Sequence, residues 1–241
     1  MNSKFNTIKG IIFDYGGTLD TNGQHWAEVL WSAYQHFQIP VNKSAFREAY
    51  IHGERTLATQ PLIKPHHIFY DVLYIKAQIQ INYLIENKYL KPASNRDLEY
   101  AQQIATYCNN FAKQIVQKSN SLVKMLTNKY KLVLVSNFYG NIHSVLQNFD
   151  LLCSFEEIIE SSVVGVRKPD PQIFRLGVEA LQMQPKETVV IGDSFTKDIL
   201  PAREAGCHTI WLKGEGWDSE GNELLPDAVI YDISEVKDLL I

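Results

Sequence analysis

A chain of 241 residues has room for one large domain or for a core with an insertion. Its hydrophobic fraction of 45% is ordinary for a globular protein, and at a net charge of −4 there is no basic excess to recommend nucleic acid or an anionic membrane as partner. The three cysteines, Cys108, Cys153 and Cys207, are widely spaced and form no CxxC pair, so the pattern speaks against a zinc ribbon or a disulfide framework and for reduced thiols in a cytoplasmic protein. The first ten residues hold no apolar stretch of signal-peptide length, and no run approaches the roughly 20 residues of a membrane span.

Residues 8–13 read as a buried strand that ends in Asp14 and turns through Gly16, Gly17 and Thr18. About 100 residues of helical texture follow. His25 to Gln38 carries Trp26, Val29, Leu30, Ala33, Tyr34 and Phe37 at helical spacing, and Pro40 stops it. Ser44 to Thr59 is a second helix, closed by Pro61. Pro65 to about Tyr89 is a third, and Ser94 to Lys118 a fourth, with Ser94 as its cap. Four helices without strands pack as a small bundle, so residues 21–115 form a helical insert between 1–20 and 116–241. Trp26, Trp31, Phe69 and Tyr74 are expected in its core.

Strand–helix alternation then returns. A short helix spans Ser121 to Lys129, and a strand from Lys131 to Val135 ends in Ser136-Asn137. A helix at 142–149, a strand at 155–159 and a helix at 171–181 follow. The strand at 188–191 ends in Gly192-Asp193, and a helix runs from Asp198 to Ala205. Further strands are predicted at 208–212 and 228–231. The fold class is α/β: a doubly wound, Rossmann-like parallel sheet carrying an inserted all-helical cap.

Ligands of open α/β sheets bind at the carboxyl ends of the strands. There the chain places Asp14, Ser136, Asp193 and the loop with Lys168, with Asp198 close behind. Ser136 and Asp198 also suit plain roles at helix starts. Carboxylates this close raise one another's pKa unless a cation balances them. Mg²⁺, a hard ion that takes a few carboxylates plus water and phosphate oxygens, and the Lys168 ammonium would do so. The chemistry suggested is phosphoryl transfer.

Four motifs now stand in order: Asp14-Tyr15-Gly16-Gly17-Thr18-Leu19, the Ser136-Asn137 strand end, Arg167-Lys168-Pro169-Asp170-Pro171, and Gly192-Asp193-Ser194-Phe195-Thr196-Lys197-Asp198. Together they resemble the haloacid dehalogenase superfamily, most of whose members are phosphatases, over residues 8 to about 212. The insert occupies the place of that family's helical cap. The resemblance implies Asp14 as nucleophile forming an aspartyl-phosphate. It implies Mg²⁺ held by Asp14, the Gly16 carbonyl and Asp193, supported by Asp198. Ser136, Asn137 and Gly17 would hold phosphoryl oxygens, and Lys168 would pair with Asp14 and the transferring group. His52-Gly53-Glu54-Arg55 resembles a cap loop that faces substrate in sugar-phosphate relatives, with Arg55 suited to a second anionic group. The implied function is Mg²⁺-dependent hydrolysis of a small phosphorylated metabolite.

One position departs from the pattern. The family's phosphatases carry a general acid–base Asp two residues after the nucleophile; here that residue is Gly16. A positioned general acid is worth about 10²–10⁴-fold. Three explanations remain open. Hydrolysis is slow or substrate-assisted, or a cap histidine (His25, His52, His66 or His67) supplies the proton. The reaction differs, as in the dehalogenase branch or in the phosphonate-cleaving branch, which needs a cap lysine such as Lys43, Lys64 or Lys76. Or the protein binds a phosphometabolite without turnover.

Overall fold

The computed structural model of the protein describes residues 3–92, 95–214 and 222–241. Within them, β1 (Gly10–Phe13), β2 (Lys131–Ser136), β3 (Glu157–Glu160), β4 (Thr188–Gly192), β5 (His208–Leu212) and β6 (Ala228–Ile230) form one parallel sheet in the order β3-β2-β1-β4-β5-β6. The strands read as apolar runs because both faces of the sheet are covered. Ile11, Phe13, Leu132, Leu134, Val189 and Ile191 join the core on one face. Their neighbours Ile12, Val133, Val135 and Val190 join the core on the other.

Helices α1 (Trp26–His36), α2 (Lys43–Thr59), α3 (Phe69–Glu86) and α4 (Asn95–Leu126) fill the stretch between β1 and β2. The His25 ring accepts from Ala27 N–H at the start of α1, and Asn42 accepts from Ala45 N–H at the start of α2. The third helix begins later than Pro65, at Phe69, because Asp71 accepts from Ile68 N–H at 2.9 Å and so defines its first turn. The proposed cap at Ser94 lies outside the described residues.

The predicted helices at 94–118 and 121–129 are one helix, α4, of 32 residues. Its buried stripe continues from Cys108 and Ala112 through Val116 and Ser119 to Val123 and Leu126. Ser119 and its neighbours look like a break in the sequence, but each has a tertiary or helical partner. Ser119 Oγ donates to Leu19 O at 2.8 Å, Ser121 Oγ to Gln117 O at 3.1 Å, and Asn120 Nδ2 to Asp150 O at 3.1 Å. Residue 115, where the insert was expected to end, falls inside this helix.

The remaining helices are α5 (Ile142–Asn148), the short α6 (Ser161–Val164), α7 (Gln172–Leu181), α8 (Leu200–Glu204) and α9 (Val236–Leu240). The helix expected from Asp198 starts earlier, as a π-helical turn at Phe195–Ile199 with Ser194 Oγ accepting from Lys197 N–H. No described helix is long and apolar enough to cross a membrane.

Helix α7 lies close against the sheet at Gly177. A Cβ there would meet Ile12 Cδ1 at 2.8 Å and Val135 Cγ2 at 3.0 Å. Gly177→Ala is expected to overpack this contact and lower stability by about 1–3 kcal/mol. A urea midpoint equal to the parent's would contradict that packing.

Candidate active site

The strand register builds the site. Phe13 pairs with Leu134 on one side and Ile191 on the other, so Asp14 stands one residue past both pairs, at the sheet's carboxyl edge. Its N–H donates to Ile191 O at 3.0 Å, which continues the ladder and holds the backbone. Ser136 ends β2, and Asp193 follows the last residue of β4. Parallel strands of near-equal phase thus bring residues more than a hundred positions apart to one edge.

Two glycines make room for the carboxylates at this edge. Gly17 has φ of +100°, and a Cβ on it would lie 2.3 Å from Asp193 Oδ2. At Gly192, a Cβ would lie 2.5 Å from Asp198 Cβ. Both are glycine because a carboxylate takes the space of a side chain. Gly17, expected to help hold phosphoryl oxygens, spends its N–H on Asp20 Oδ1 at 2.7 Å.

Lys168 is the centre of charge. Its Nζ lies 2.5 Å from Asp14 Oδ1 and 2.7 Å from Asp198 Oδ1, and all three residues are buried. Thr18 Oγ donates to Asp14 Oδ2 at 2.9 Å and lies 3.2 Å from Asp193 Oδ1. Lysine and threonine together fix the plane of the Asp14 carboxylate. Asn137, another residue expected to face phosphate, instead clamps the Lys168 backbone: its Oδ1 accepts from Lys168 N–H at 3.0 Å and its Nδ2 donates to Lys168 O at 3.1 Å. Ser194 N–H holds Asp198 Oδ2 at 3.0 Å.

Carboxylate oxygens of Asp14, Asp193 and Asp198 all lie within 4.8 Å of one another. Burial pushes the Asp14 carboxyl up to about 6, with Lys168 opposing and Asp198 reinforcing. Burial, then Asp14 and Asp198, raise Asp193 well above the usual carboxylate range. Three carboxylates against one ammonium leave a negative excess. The hard, oxygen-only donor set fits a divalent cation of the magnesium type, which would offset that excess.

A cavity of about 850 Å³ opens in front of Asp14, with Gly16, Ser136, Asp193 and Lys168 on its core side. Arg55, Glu54, Lys76, Tyr50 and His25 line its helical side, together with Tyr139 from the loop after β2. Of the four histidines considered as replacement acids, only His25 lines it. His25 Nδ1 accepts from Ala27 N–H at 3.2 Å, which assigns the ring proton to Nε2. His52 instead packs on Tyr83, and His66 and His67 pack on each other. Of the three lysines considered for the phosphonate branch, only Lys76 lines the cavity.

Sequence reasoning assigned no role to Thr18, though it lies within the first motif. It also missed Asp20, a buried carboxyl that accepts from Trp26 Nε1 at 3.0 Å and ties α1 to the turn. Burial pushes Asp20 up to about 7 against its two donors, Gly17 N–H and Trp26. The pairing of Lys76 with Glu54 and Tyr139 was missed as well. Its one available signal was a lysine inside the apolar run from Val72 to Ile81.

The fold and this edge of carboxylates define a class, and comparison with known proteins agrees. The chain belongs to the haloacid dehalogenase-like hydrolases, whose family model matches residues 8–206. It is 37% identical over 82 residues to a phosphoserine phosphatase of Thermus thermophilus, covering 34% of this chain and 32% of that protein. It is 28% identical over 132 residues to a glyceraldehyde 3-phosphate phosphatase of Methanothermobacter thermautotrophicus, covering 51% and 56%. The matched stretches thus span from a third to just over half of these relatives' lengths. Among solved structures, the HAD-hydrolase YfnB of Bacillus subtilis bound to magnesium shares the fold, with a TM-score of 0.59 at 21% identity over 97% of this chain and 98% of that one.

The two adjacent glycines of the turn separate geometry from chemistry. Gly17→Ala is expected to cost about 1–3 kcal/mol through its positive φ and the clash with Asp193. Gly16→Ala, whose Cβ meets nothing within 4 Å, is expected to change stability by under about 0.5 kcal/mol. Equal losses in thermal unfolding would refute this division.

Proposed function

We propose that the protein is a magnesium-dependent phosphatase of a small phosphorylated metabolite, acting through an aspartyl-phosphate on Asp14. One observation carries the reading. A buried aspartate at a strand tip is oriented by Lys168 and Thr18, flanked by Asp193 and Asp198, and faces an 850 Å³ cavity. The phosphatase names of the relatives point the same way. Residues 21–115 act as the cap that selects substrate, with residues 1–20 and 116–241 as the core. The three free cysteines suit a reducing compartment, the cytoplasm.

Asp14 attacks phosphorus, the bond from phosphorus to the ester oxygen breaks, and the leaving group departs with its electron pair. Water then attacks the aspartyl-phosphate, releasing inorganic phosphate and restoring Asp14. Lys168 holds Asp14 and meets the charge of the transferring group, and Ser136 binds a phosphoryl oxygen. Magnesium held by Asp14, Asp193, Asp198 and the Gly16 carbonyl would supply positive charge at the phosphoryl oxygens.

Gly16 leaves the leaving group without an acid. His25 is a poor substitute, because taking up a proton at Nδ1 costs its hydrogen bond to α1. Turnover of alkyl phosphates is therefore slow, and the runner-up reading, a phosphometabolite-binding protein without turnover, rests on the same residue. Phosphonate cleavage through a Schiff base is disfavoured, because Glu54 holds Lys76 as an ammonium. A metal-free dehalogenase would have no use for the Asp193–Asp198 cluster.

The space beside Gly16 makes the test direct, since a Cβ there would meet nothing within 4 Å. In phosphate-release assays, Gly16→Asp is expected to raise kcat/KM on alkyl phosphates by about 10- to 1000-fold. On p-nitrophenyl phosphate, whose leaving group needs no proton, the gain is expected to stay under about threefold. Both activities should require magnesium and vanish in Asp14→Asn. Magnesium-dependent release by Asp14→Asn would overturn the nucleophile. Silence of both the native chain and Gly16→Asp on every ester would favour the binding protein.

A further inference from the structure

The helical wall of the cavity carries charges that the phosphoryl chemistry leaves unused. Lys76, on α3, is 8% exposed, and its Nζ lies 2.6 Å from Glu54 Oε1 on α2. The Tyr139 hydroxyl donates to Glu54 Oε2 at 3.3 Å, and Lys76 Nζ stands 5.7 Å from the centre of the Tyr139 ring. Arg55 lines the same wall. Around them the wall is apolar: Leu57, Ile63 and Val72 form one cluster against which Tyr139 packs. Burial alone would lower the Lys76 pKa, but Glu54 together with Tyr139 and Tyr50 outweighs it and keeps the ammonium.

An ion pair in an apolar wall is rarely the most stable choice, since similar-sized apolar residues do as well or better. Such pairs in a cavity that also holds the reacting group point to recognition. Two cations against one carboxylate favour an anion. Glu54 restricts which anion, because it repels a second phosphate dianion and welcomes a hydrogen-bond donor beside a monoanion.

Building on the phosphatase reading, we infer that the Lys76–Glu54 pair reads the leaving group, and that the substrate is a phosphate ester of a small α-hydroxy or α-amino carboxylic acid. The carboxylate faces Lys76 and Arg55. The neighbouring hydroxyl or ammonium donates to Glu54. Tyr139 holds Glu54 in place from the core side, so the reader sits where the helical insert meets the loop that follows Ser136. A neutral sugar would leave the Lys76 donors unmatched.

Five esters and an activated control test this. O-phospho-L-serine and 3-phosphoglycerate carry both groups. Glycerol 3-phosphate and phosphoethanolamine lack the carboxylate, and 3-phosphonooxypropanoate lacks the donor. The control, p-nitrophenyl phosphate, reports the phosphatase reading alone. The first two esters are expected to exceed the others in kcat/KM by about 10- to 100-fold. Lys76→Met should shrink their advantage over glycerol 3-phosphate by about tenfold or more, mainly through KM. Glu54→Gln should shrink their advantage over 3-phosphonooxypropanoate. The double variant Lys76→Met/Glu54→Gln leaves no unpaired charge, so loss of the preference there is not loss of the fold. Turnover of p-nitrophenyl phosphate with no preference for carboxylate esters overturns the inference and leaves the phosphatase standing. If no ester turns over, calorimetric binding of 3-phosphoglycerate against glycerol 3-phosphate decides it, and equal affinity overturns it.

Discussion

One ammonium governs the site. Lys168 lies between Asp14 and Asp198, and all three charges are largely buried. Buried ions need partners at close range, so the carboxylates and the lysine must arrive together. The parallel sheet meets that demand by ending β1, β2 and β4 at one level. The glycines meet the rest, because Gly17 and Gly192 clear the volume that Asp193 and Asp198 occupy. Asn137 then holds the Lys168 backbone from both sides. Burial first, and then the neighbouring carboxylates, hold Asp14 and Asp193 above their usual pKa despite Lys168. The site is electrostatically incomplete by itself and complementary to added positive charge.

The helical insert is packed onto this edge by few polar ties and much apolar contact. Residues of α1 to α4 join the same core as one face of the sheet. Ser119 reaches Leu19 O, Trp26 reaches Asp20, and Asn141 Nδ2 reaches His67 O at 2.8 Å. Helix α4 crosses residue 115 without interruption and joins the core shared by the inserted helices and one face of the sheet. The cavity is what remains between these surfaces. Its core wall gathers Asp14, Asp193 and Asp198 about Lys168, and its helical wall sets the Lys76–Glu54 pair beside apolar residues.

Gly16 sets the limits of the chemistry. A Cβ on Gly16 would meet nothing within 4 Å; on the proposed phosphatase reading, that position lacks the proton donor, while nearby His25 accepts from Ala27 N–H and Asp20 accepts from Gly17 N–H and Trp26. Binding, orientation and charge stabilisation can survive such a loss, because they reside in other residues.

The sequence by itself determined the sheet and its functional tips. Apolar runs ending in Asp14, Ser136 and Asp193 are local signals, and a parallel sheet buried on both faces leaves them little freedom. The family could be read because its motifs sit at strand ends, where spacing along the chain maps onto position in space. Only the tertiary structure decided the continuity of α4, since the partners of Ser119 and Asn120 lie about 30 to 100 residues away. It also decided that Asn137 and Gly17 serve Lys168 and Asp20, and that Lys76 meets Glu54 and Tyr139 over the cavity. These pairings depend on how helices pack, and packing is set by the whole surface of each helix rather than by the pattern of any one stretch.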